Sequence, residues 1–138
     1  MTDEAATVTG IVAMIRVRDV MASAAFYRNL GFEIGNAQPK EPPFHWAWLY
    51  QPKAANWKAA GNLMLVAGET AESPEIKAKL VLFYVYVSDL PSLRAQLIAN
   101  GVRVGDIVYP EYLPEGECGV TDPDGYALML AQAGRDTP

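Results

Sequence analysis

Apolar and polar positions follow the same order of patterns twice along this 138-residue chain. In each copy an apolar, strand-like segment is followed at once by an aspartate, Asp19 in the first copy and Asp89 in the second. Apolar positions at helical spacing come next, and each helical segment stops at a glycine, Gly31 or Gly101. The aspartates are 70 positions apart, and so are the glycines. Equal spacing of both start and stop indicates an internal repeat.

The ends of the two predicted helices carry residues that suit helix termini. A short carboxylate such as Asp19 or Asp89 accepts hydrogen bonds from the free N–H groups of the first helical turn. Glycine just past the last turn adopts the positive φ that commonly ends a helix. We therefore expect one helix of about three turns in each copy.

Each predicted helix is followed by three strand candidates. The last two strands of the second copy are joined by a predicted turn at residues 122–125, which has proline in its second position and glycine in its fourth. The chain is thus predicted to be α+β, a single domain over residues 1–138 with two tandem βαβββ modules at approximately 10–68 and 79–132, each with one helix packed on a mixed sheet. The candidates are Phe32–Gly35, Phe44–Gln51 and Asn62–Ala67 in the first module, and Val102–Tyr109, Glu117–Thr121 and Tyr126–Gln132 in the second.

Composition and charge exclude several classes of partner. The net charge is −5, which disfavours nucleic acid because phosphate binding requires a basic surface. No apolar run reaches the roughly 18–20 residues that span a bilayer, and the first residues do not form a secretory signal. Cys118 is the only cysteine, so no internal disulfide can form. A cytoplasmic protein is therefore expected.

Two motifs at opposite ends of the chain resemble those of the vicinal-oxygen-chelate superfamily of glyoxalases, bleomycin-resistance proteins and dioxygenases. The first is the helix motif Ser23-x-x-Phe26-Tyr27-x-x-Leu30-Gly31-Phe32, and the second is the turn Asp122-Pro123-Asp124-Gly125-Tyr126. The resemblance covers roughly residues 10–132 and implies that the modules curl into a cupped sheet around a ligand. It also implies that the halves pair within one chain or across a homodimer. Members include metal-dependent enzymes and metal-free proteins that sequester antibiotics.

The metal-ligand positions that the resemblance implies are all apolar here. They fall at Val12, Met64, Leu82 and Met129, and the whole chain contains one histidine, His45. Divalent metals of these enzymes need histidine, carboxylate or amide donors. We therefore expect no metal, no other cofactor and no catalytic residue of the family's metal-dependent kind.

Alternation along the strands predicts which side chains line the cup. The aromatic face of the Phe44–Gln51 strand is taken to point inward, so that the cup is lined by tryptophan, tyrosine and methionine with one arginine. Such side chains suit an apolar or aromatic small molecule, although they would equally fill a closed core or a dimer interface. A cup-facing arginine needs a partner, either a ligand anion or an internal acid, and the internal acid is favoured. The expected ligand-binding residues are Met14, Arg16, Trp46, Trp48, Met64, Tyr84, Tyr86 and Met129.

Other residues with chemical potential have simpler interpretations. Cys118 and His45 are weak candidates for a nucleophile and a base, because no activating neighbour is evident in the sequence. Asp122 and Asp124 are interpreted as turn residues, and Trp57 as either a lid or a loop anchor. The acids near Tyr112 are interpreted as a solvated rim that could attract a cationic ligand; they are Glu111, Glu115 and Glu117.

These expectations favour a metal-free protein that binds an apolar or aromatic small molecule, as the bleomycin-resistance branch does, and that forms a homodimer. Two alternatives stay open at this point. One is a lyase-, isomerase- or dioxygenase-like enzyme of unknown reaction that uses a residue such as Tyr84 or His45 without metal. The other is a structural or regulatory domain whose cup is closed.

Overall fold

The computed structural model describes residues 6, 10–56, 59–68 and 81–134, and within them the predicted α+β order of elements is present. Trp57, the possible lid residue, lies outside the described residues. The elements are β1 (Ala13–Val17), α1 (Val20–Arg28), β2 (Glu33–Gln38), β3 (Trp46–Tyr50), β4 (Leu63–Ala67), β5 (Leu82–Val87), α2 (Leu90–Ala99), β6 (Glu117–Thr121) and β7 (Ala127–Gln132).

The two helices begin and end as the repeat predicts. The side chain of Asp19 accepts a hydrogen bond from the backbone N of Ala22 at 3.1 Å, and Asp89 accepts one from Ser92 at 3.1 Å. Gly31 has φ +88° and Gly101 has φ +82°, the left-handed conformation that favours glycine. The predicted helix boundaries are confirmed because these residues satisfy or terminate the backbone hydrogen-bond pattern locally.

The strands form two mixed sheets, one for each module. The first sheet has the order β1-β4-β3-β2 and the second has the order β5-β7-β6. In both sheets the strand before the helix pairs in parallel with the last strand of the module, β1 with β4 and β5 with β7. This shared topology matches two tandem modules with one helix each.

The predicted strand over Val102–Tyr109 is wrong. Within that range only Val104 and Val108 bridge to β6. Gly105 and Asp106, which lie between the two bridges, are residue types that are depleted in strands. The N–H of Gly105 donates to the carbonyl of Gly119 in β6, but its own carbonyl accepts a 2.9 Å hydrogen bond from the Arg94 side chain and not from a strand.

One apolar core joins the helix-facing sides of the two sheets. Val17 and Leu65 of the first sheet and Leu130 of the second are each 0% exposed. Tyr27 of α1 and Leu97 of α2 belong to the same buried cluster. Because the helix-facing side of each sheet is used for the core, the opposite side of each sheet is the one that can contact a ligand or another chain.

Candidate functional site

The open face of the first sheet carries five of the eight predicted site residues. Met14 is in register with Met64, and Met64 with Trp48. Residues in register across neighbouring strands project from the same face of a sheet. The adjacent row holds Arg16, Val66 and Trp46. The aromatic face of β3 therefore lies with the methionines, as the sequence analysis expected, while Ala47 and Leu49 of that strand are buried on the helix side.

The open face of the second sheet carries the other three predicted site residues. Tyr84 is in register with Met129, and Met129 with Gly119 of β6. The next row holds Tyr86, Ala131 and Glu117. The rings of Tyr84 and Tyr86 stack with centroids 6.2 Å apart. This face is thus tyrosine-rich along β5, with a methionine and an alanine on β7 and a glycine and a glutamate on β6.

The two groups of predicted site residues lie on separate sheets. No pairing between the first and second sheets occurs in the part of the chain that the structure describes. β1 and β5, which carry Met14, Arg16, Tyr84 and Tyr86, are each an edge strand of their own sheet. The eight residues therefore form two separate groups in the single chain, one on each sheet.

A cavity of about 370 Å³ lies against the open face of the first sheet. Its lining includes Trp48, whose indole Nε1 donates a 2.7 Å hydrogen bond to Oδ1 of Asn62. A β-bulge between Ile34 and Asn36 forms another wall. At Gly35 in this bulge a Cβ atom would lie only 3.0 Å from the ring of Tyr50, so a larger residue would crowd the cavity.

Sequence reasoning missed Asn36 and Asn62 as lining residues of this small cavity, whereas Tyr50 belongs to the aromatic face that was expected to point inward. One available signal was Gly35, since an isolated glycine within a strand often marks a bulge. The hydrogen bond between Trp48 and Asn62 joins residues on either side of a loop, and no local sequence pattern indicates such a contact.

A larger cavity, of about 850 Å³, lies between the modules. It is bounded on one side by β5, including Tyr84 and Tyr86, and on the other by Leu30 and Phe32 at the end of α1. Because side chains from both faces of β5 line it, this cavity runs along the free edge of that strand.

The edge strands β1 and β5 expose their side chains on the open faces of the single chain, whereas Ala131 and Glu117 on the open face of the second sheet are buried. Met14 is 58% exposed, Tyr84 is 41% exposed and Tyr86 is 48% exposed. Apolar side chains that merely fill a core would be buried. Met14, Tyr84 and Tyr86 therefore do not fill a closed core within the single chain.

The internal acid expected beside Arg16 is absent from the described residues. Arg16 is exposed, and none of the ion pairs among the described residues includes it. Its guanidinium instead lies against Gly68, where a Cβ would be 2.7 Å from Nη1. The Arg16 side chain is exposed and belongs to an edge strand of its sheet.

The positions that the family uses for metal ligands do not fit a divalent metal here. Val12 and Leu82 carry no donor atom, and Met64 and Met129 offer only thioether sulfur. Thioethers suit soft ions such as Cu(I) and not Mg²⁺, Mn²⁺ or Zn²⁺. Within the described residues no group of three or more histidine, cysteine or carboxylate side chains could hold a metal ion.

Cys118 and the two turn aspartates are buried structural groups. Cys118 is 1% exposed, and burial raises the pKa of its thiol, which opposes formation of the nucleophilic thiolate. Asp122 and Asp124 accept hydrogen bonds from the hydroxyls of Tyr27 and Ser23. Burial raises the pKa of Asp122, and the hydrogen bond from Tyr27 partly opposes that rise. The turn prediction is confirmed by a 3.1 Å bond from Gly125 N to the Asp122 carbonyl.

Glu117 is not part of a solvated rim, contrary to the sequence-based interpretation. It is 2% exposed, whereas Glu111 and Glu115 are exposed as expected. The hydroxyl of Tyr112 donates a hydrogen bond to Oε1 of Glu117. The segment between Val108 and Glu117 folds back on the start of β6, and this tertiary contact buries the carboxylate.

The chain belongs to the Glyoxalase/Bleomycin resistance protein/Dioxygenase superfamily, whose sequence model matches residues 10–130. No curated protein has significant sequence similarity to the chain. No helix among the described residues is long and apolar enough to cross a membrane.

Solved structures with the same fold include binding proteins and glyoxalase relatives. A bleomycin-binding protein in complex with bleomycin is 23% identical with a TM-score of 0.66, over 96% of this chain and 100% of that one. An antibiotic-binding protein from Streptomyces sp. CB03234 is 22% identical with a TM-score of 0.69, over 95% and 100%. A glyoxalase family protein from Bacillus anthracis is 17% identical with a TM-score of 0.67, over 95% and 100%. At these identities the likeness is one of fold.

Proposed function

We propose that this protein is a metal-free small-molecule binding protein of the bleomycin-resistance type, which sequesters an apolar or aromatic ligand on the open faces of its sheets. The observation that carries the proposal is the row of Met14, Met64 and Trp48 on the open face, in which Met14 is exposed and the other two are partly exposed. Rigid aromatic rings and adaptable thioethers provide contact area for a planar ligand at low entropic cost. The presence of antibiotic-binding proteins among the structural neighbours supports the same class of function.

The chemistry of the site favours affinity over turnover. The positions at which relatives hold a catalytic metal carry Val12, Met64, Leu82 and Met129, none of which can hold a hard divalent ion. Cys118 is buried with a raised pKa, so it does not supply an activated nucleophile. The proposed ligand-binding residues are Met14, Arg16, Trp46, Trp48, Met64, Tyr84, Tyr86 and Met129.

We propose further that a homodimer completes the binding cup. β1 and β5 each end a sheet, and both expose apolar side chains on the open face, such as Met14 and Tyr84. Exposed apolar sheet edges are normally covered by another chain or element. Joining β1 of one copy to β5 of the other would bring the two groups of proposed site residues together. The free thiol of Cys118 supports a reducing compartment such as the cytoplasm.

Tryptophan fluorescence tests the proposed function. The protein is titrated with bleomycin and with a panel of planar aromatic antibiotics, and saturable quenching is measured for the wild type and for Trp48→Phe. We expect at least one compound to quench saturably with no chemical change in the recovered ligand, and Trp48→Phe to weaken its binding. Trp46→Phe makes the same substitution in the adjacent row and tests the second proposed tryptophan contact.

Three results would contradict this function. Absence of saturable binding across the panel would contradict ligand sequestration. Conversion of a bound compound to product would show that the protein is an enzyme and not a sequestering protein. Binding that survives equally in Trp48→Phe and Trp46→Phe would place the ligand away from the first sheet.

A further inference from the structure

We propose that the ligand carries a cationic nitrogen, an ammonium or guanidinium group, which binds the carboxylate of Glu117 among the tyrosines of the second sheet. The inference rests on the proposed binding function and names the chemical class of its ligand. Oε2 of Glu117 is buried and has no hydrogen-bond partner among the residues that the structure describes.

A carboxylate oxygen buried without a donor is costly. Removing a charged group from water without pairing it disfavours the folded state far more than leaving it exposed. Such a group persists at a site when another molecule supplies the missing partner. Glu117 has only its Oε1 satisfied, by the Tyr112 hydroxyl, so one half of the carboxylate is left for that partner.

The position of Glu117 places this free oxygen at the proposed binding face. Glu117 is in register with Ala131, and Ala131 with Tyr86 of β5. The neighbouring residue Cys118 lies on the opposite, core side and is 1% exposed. Two strand spacings separate Glu117 from Tyr86, about 10 Å, and the small side chain of Ala131 lies between them.

Tyr112 contacts this carboxylate, and two further tyrosine rings lie on β5 at the other edge of the same sheet. Tyr84 and Tyr86 stack on β5, and Tyr84 lies close enough to Tyr112 to affect its phenol. The faces of tyrosine rings attract cations. A buried carboxylate with several tyrosines is therefore a site for an organic cation and not for an anion or a wholly neutral group.

Access to Glu117 depends on Tyr112. The Tyr112 side chain is 71% exposed although its hydroxyl reaches the buried carboxylate. Rotation of this ring into solvent uncovers Glu117 with little loss of packing, since the ring buries little surface. The cation then binds Oε2, and the Tyr112 hydroxyl returns to Oε1 beside it.

The test compares two probes with the same naphthylmethyl group, one of them cationic and the other neutral: naphthylmethylamine, protonated at neutral pH, and naphthylmethanol. Binding of both is measured by calorimetry at low salt to the wild type, Glu117→Gln and Glu111→Gln. Glu111→Gln removes the same charge from an exposed position in the same segment. We expect the wild type and Glu111→Gln to prefer the amine, and Glu117→Gln to lose about tenfold or more in amine affinity while binding the alcohol unchanged.

The unfolding of the ligand-free variants gives a second, independent measurement. A purely structural Glu117 would make Glu117→Gln less stable than the wild type, whereas a carboxylate held for a ligand predicts equal or greater stability without ligand. Equal wild-type affinity for both probes would overturn the inference and leave the proposed function intact. Binding of neither probe would count against both.

Discussion

The hydroxyl of Tyr27 donates a 2.7 Å hydrogen bond to Oδ2 of Asp122, and this bond joins helix α1 of the first module to the β6–β7 turn of the second. Both residues are buried, at 1% and 4% exposure. Ser23, one helical turn earlier, donates in the same way to Asp124. Two carboxylates of one module are thus satisfied by two hydroxyls of the other.

Removing the Tyr27 hydroxyl should destabilise the protein. We expect Tyr27→Phe to lower the free energy of unfolding by about 1–3 kcal/mol, because the buried Oδ2 of Asp122 loses its donor. Tyr109→Phe removes a hydroxyl from a residue that is 65% exposed, and should change stability by less than about 0.5 kcal/mol. Urea unfolding of the three proteins measures both values, and equal losses in the two variants would contradict a special role for Tyr27.

The same hydrogen bond predicts an alkaline pH dependence. Burial, followed by the negative charge of Asp122, raises the pKa of the Tyr27 phenol above its usual value near 10. A raised folded-state pKa gives stability that is complete below the unfolded-state pKa and is lost as the pH rises above it. The stability difference between wild type and Tyr27→Phe should therefore be constant from pH 7 to 9 and shrink from pH 10 upward. A difference that grows above pH 10 would contradict this sign.

Cys118 should resist alkylation in the folded protein. Its thiol is buried and its pKa is raised by burial, so both access and thiolate formation are limited. We expect iodoacetamide at pH 8 to modify little of the native protein and to modify it fully in denaturant. Mass spectrometry measures the fraction modified. Rapid native modification would mean that β6 opens far more readily than its packing indicates.

The two faces of β4 should respond differently to truncation. Leu65 is 0% exposed on the helix side, so Leu65→Ala should cost about 2–5 kcal/mol through lost contacts and a cavity. Met64, the adjacent residue, lies on the open face and is partly exposed, so Met64→Ala should cost about 1 kcal/mol or less. Thermal or urea unfolding distinguishes them. A large loss in Met64→Ala would indicate that the open face is packed in solution.

The proposed homodimer makes a prediction for exposed apolar residues. Leu82 on the edge strand β5 and Ile98 on α2 are each 50% exposed. A charge at a buried interface is strongly unfavourable, so Leu82→Lys should sediment as a monomer while Ile98→Lys should remain a dimer. Analytical ultracentrifugation at several concentrations measures this. A monomeric wild-type protein would contradict the dimer directly.

Local patterns predicted the helices and the sheet faces well. Asp19, Asp89, Gly31 and Gly101 each act within one or two turns of chain, so their roles follow from their own neighbourhood. Alternation along β3 placed Trp48 on the face opposite Ala47 and Leu49, and the separate choice of the aromatic face as the open one agrees with the structure.

Long-range contacts account for what the sequence did not reveal. Glu117 was expected in solvent because its burial depends on how the preceding segment folds onto β6. Asp122 and Asp124 were recognised as turn residues, but their partners on α1 are about a hundred positions away. Arg16 was expected beside an internal acid, and the described structure leaves it in solvent because its strand ends a sheet.

The hydrogen bonds from α1 to the β6–β7 turn also bear on how this duplicated chain folds. The second repeat satisfies Oδ1 of Asp122 with its own backbone N–H groups, but Oδ2 of Asp122 and Oδ2 of Asp124 accept from hydroxyls of the first repeat. If one half unfolded alone, a hydroxyl donor or a carboxylate acceptor in the other half would lose its hydrogen-bond partner. The two repeats are therefore expected to melt in a single cooperative transition, so that a chain built from two similar units has lost the independence of its parts.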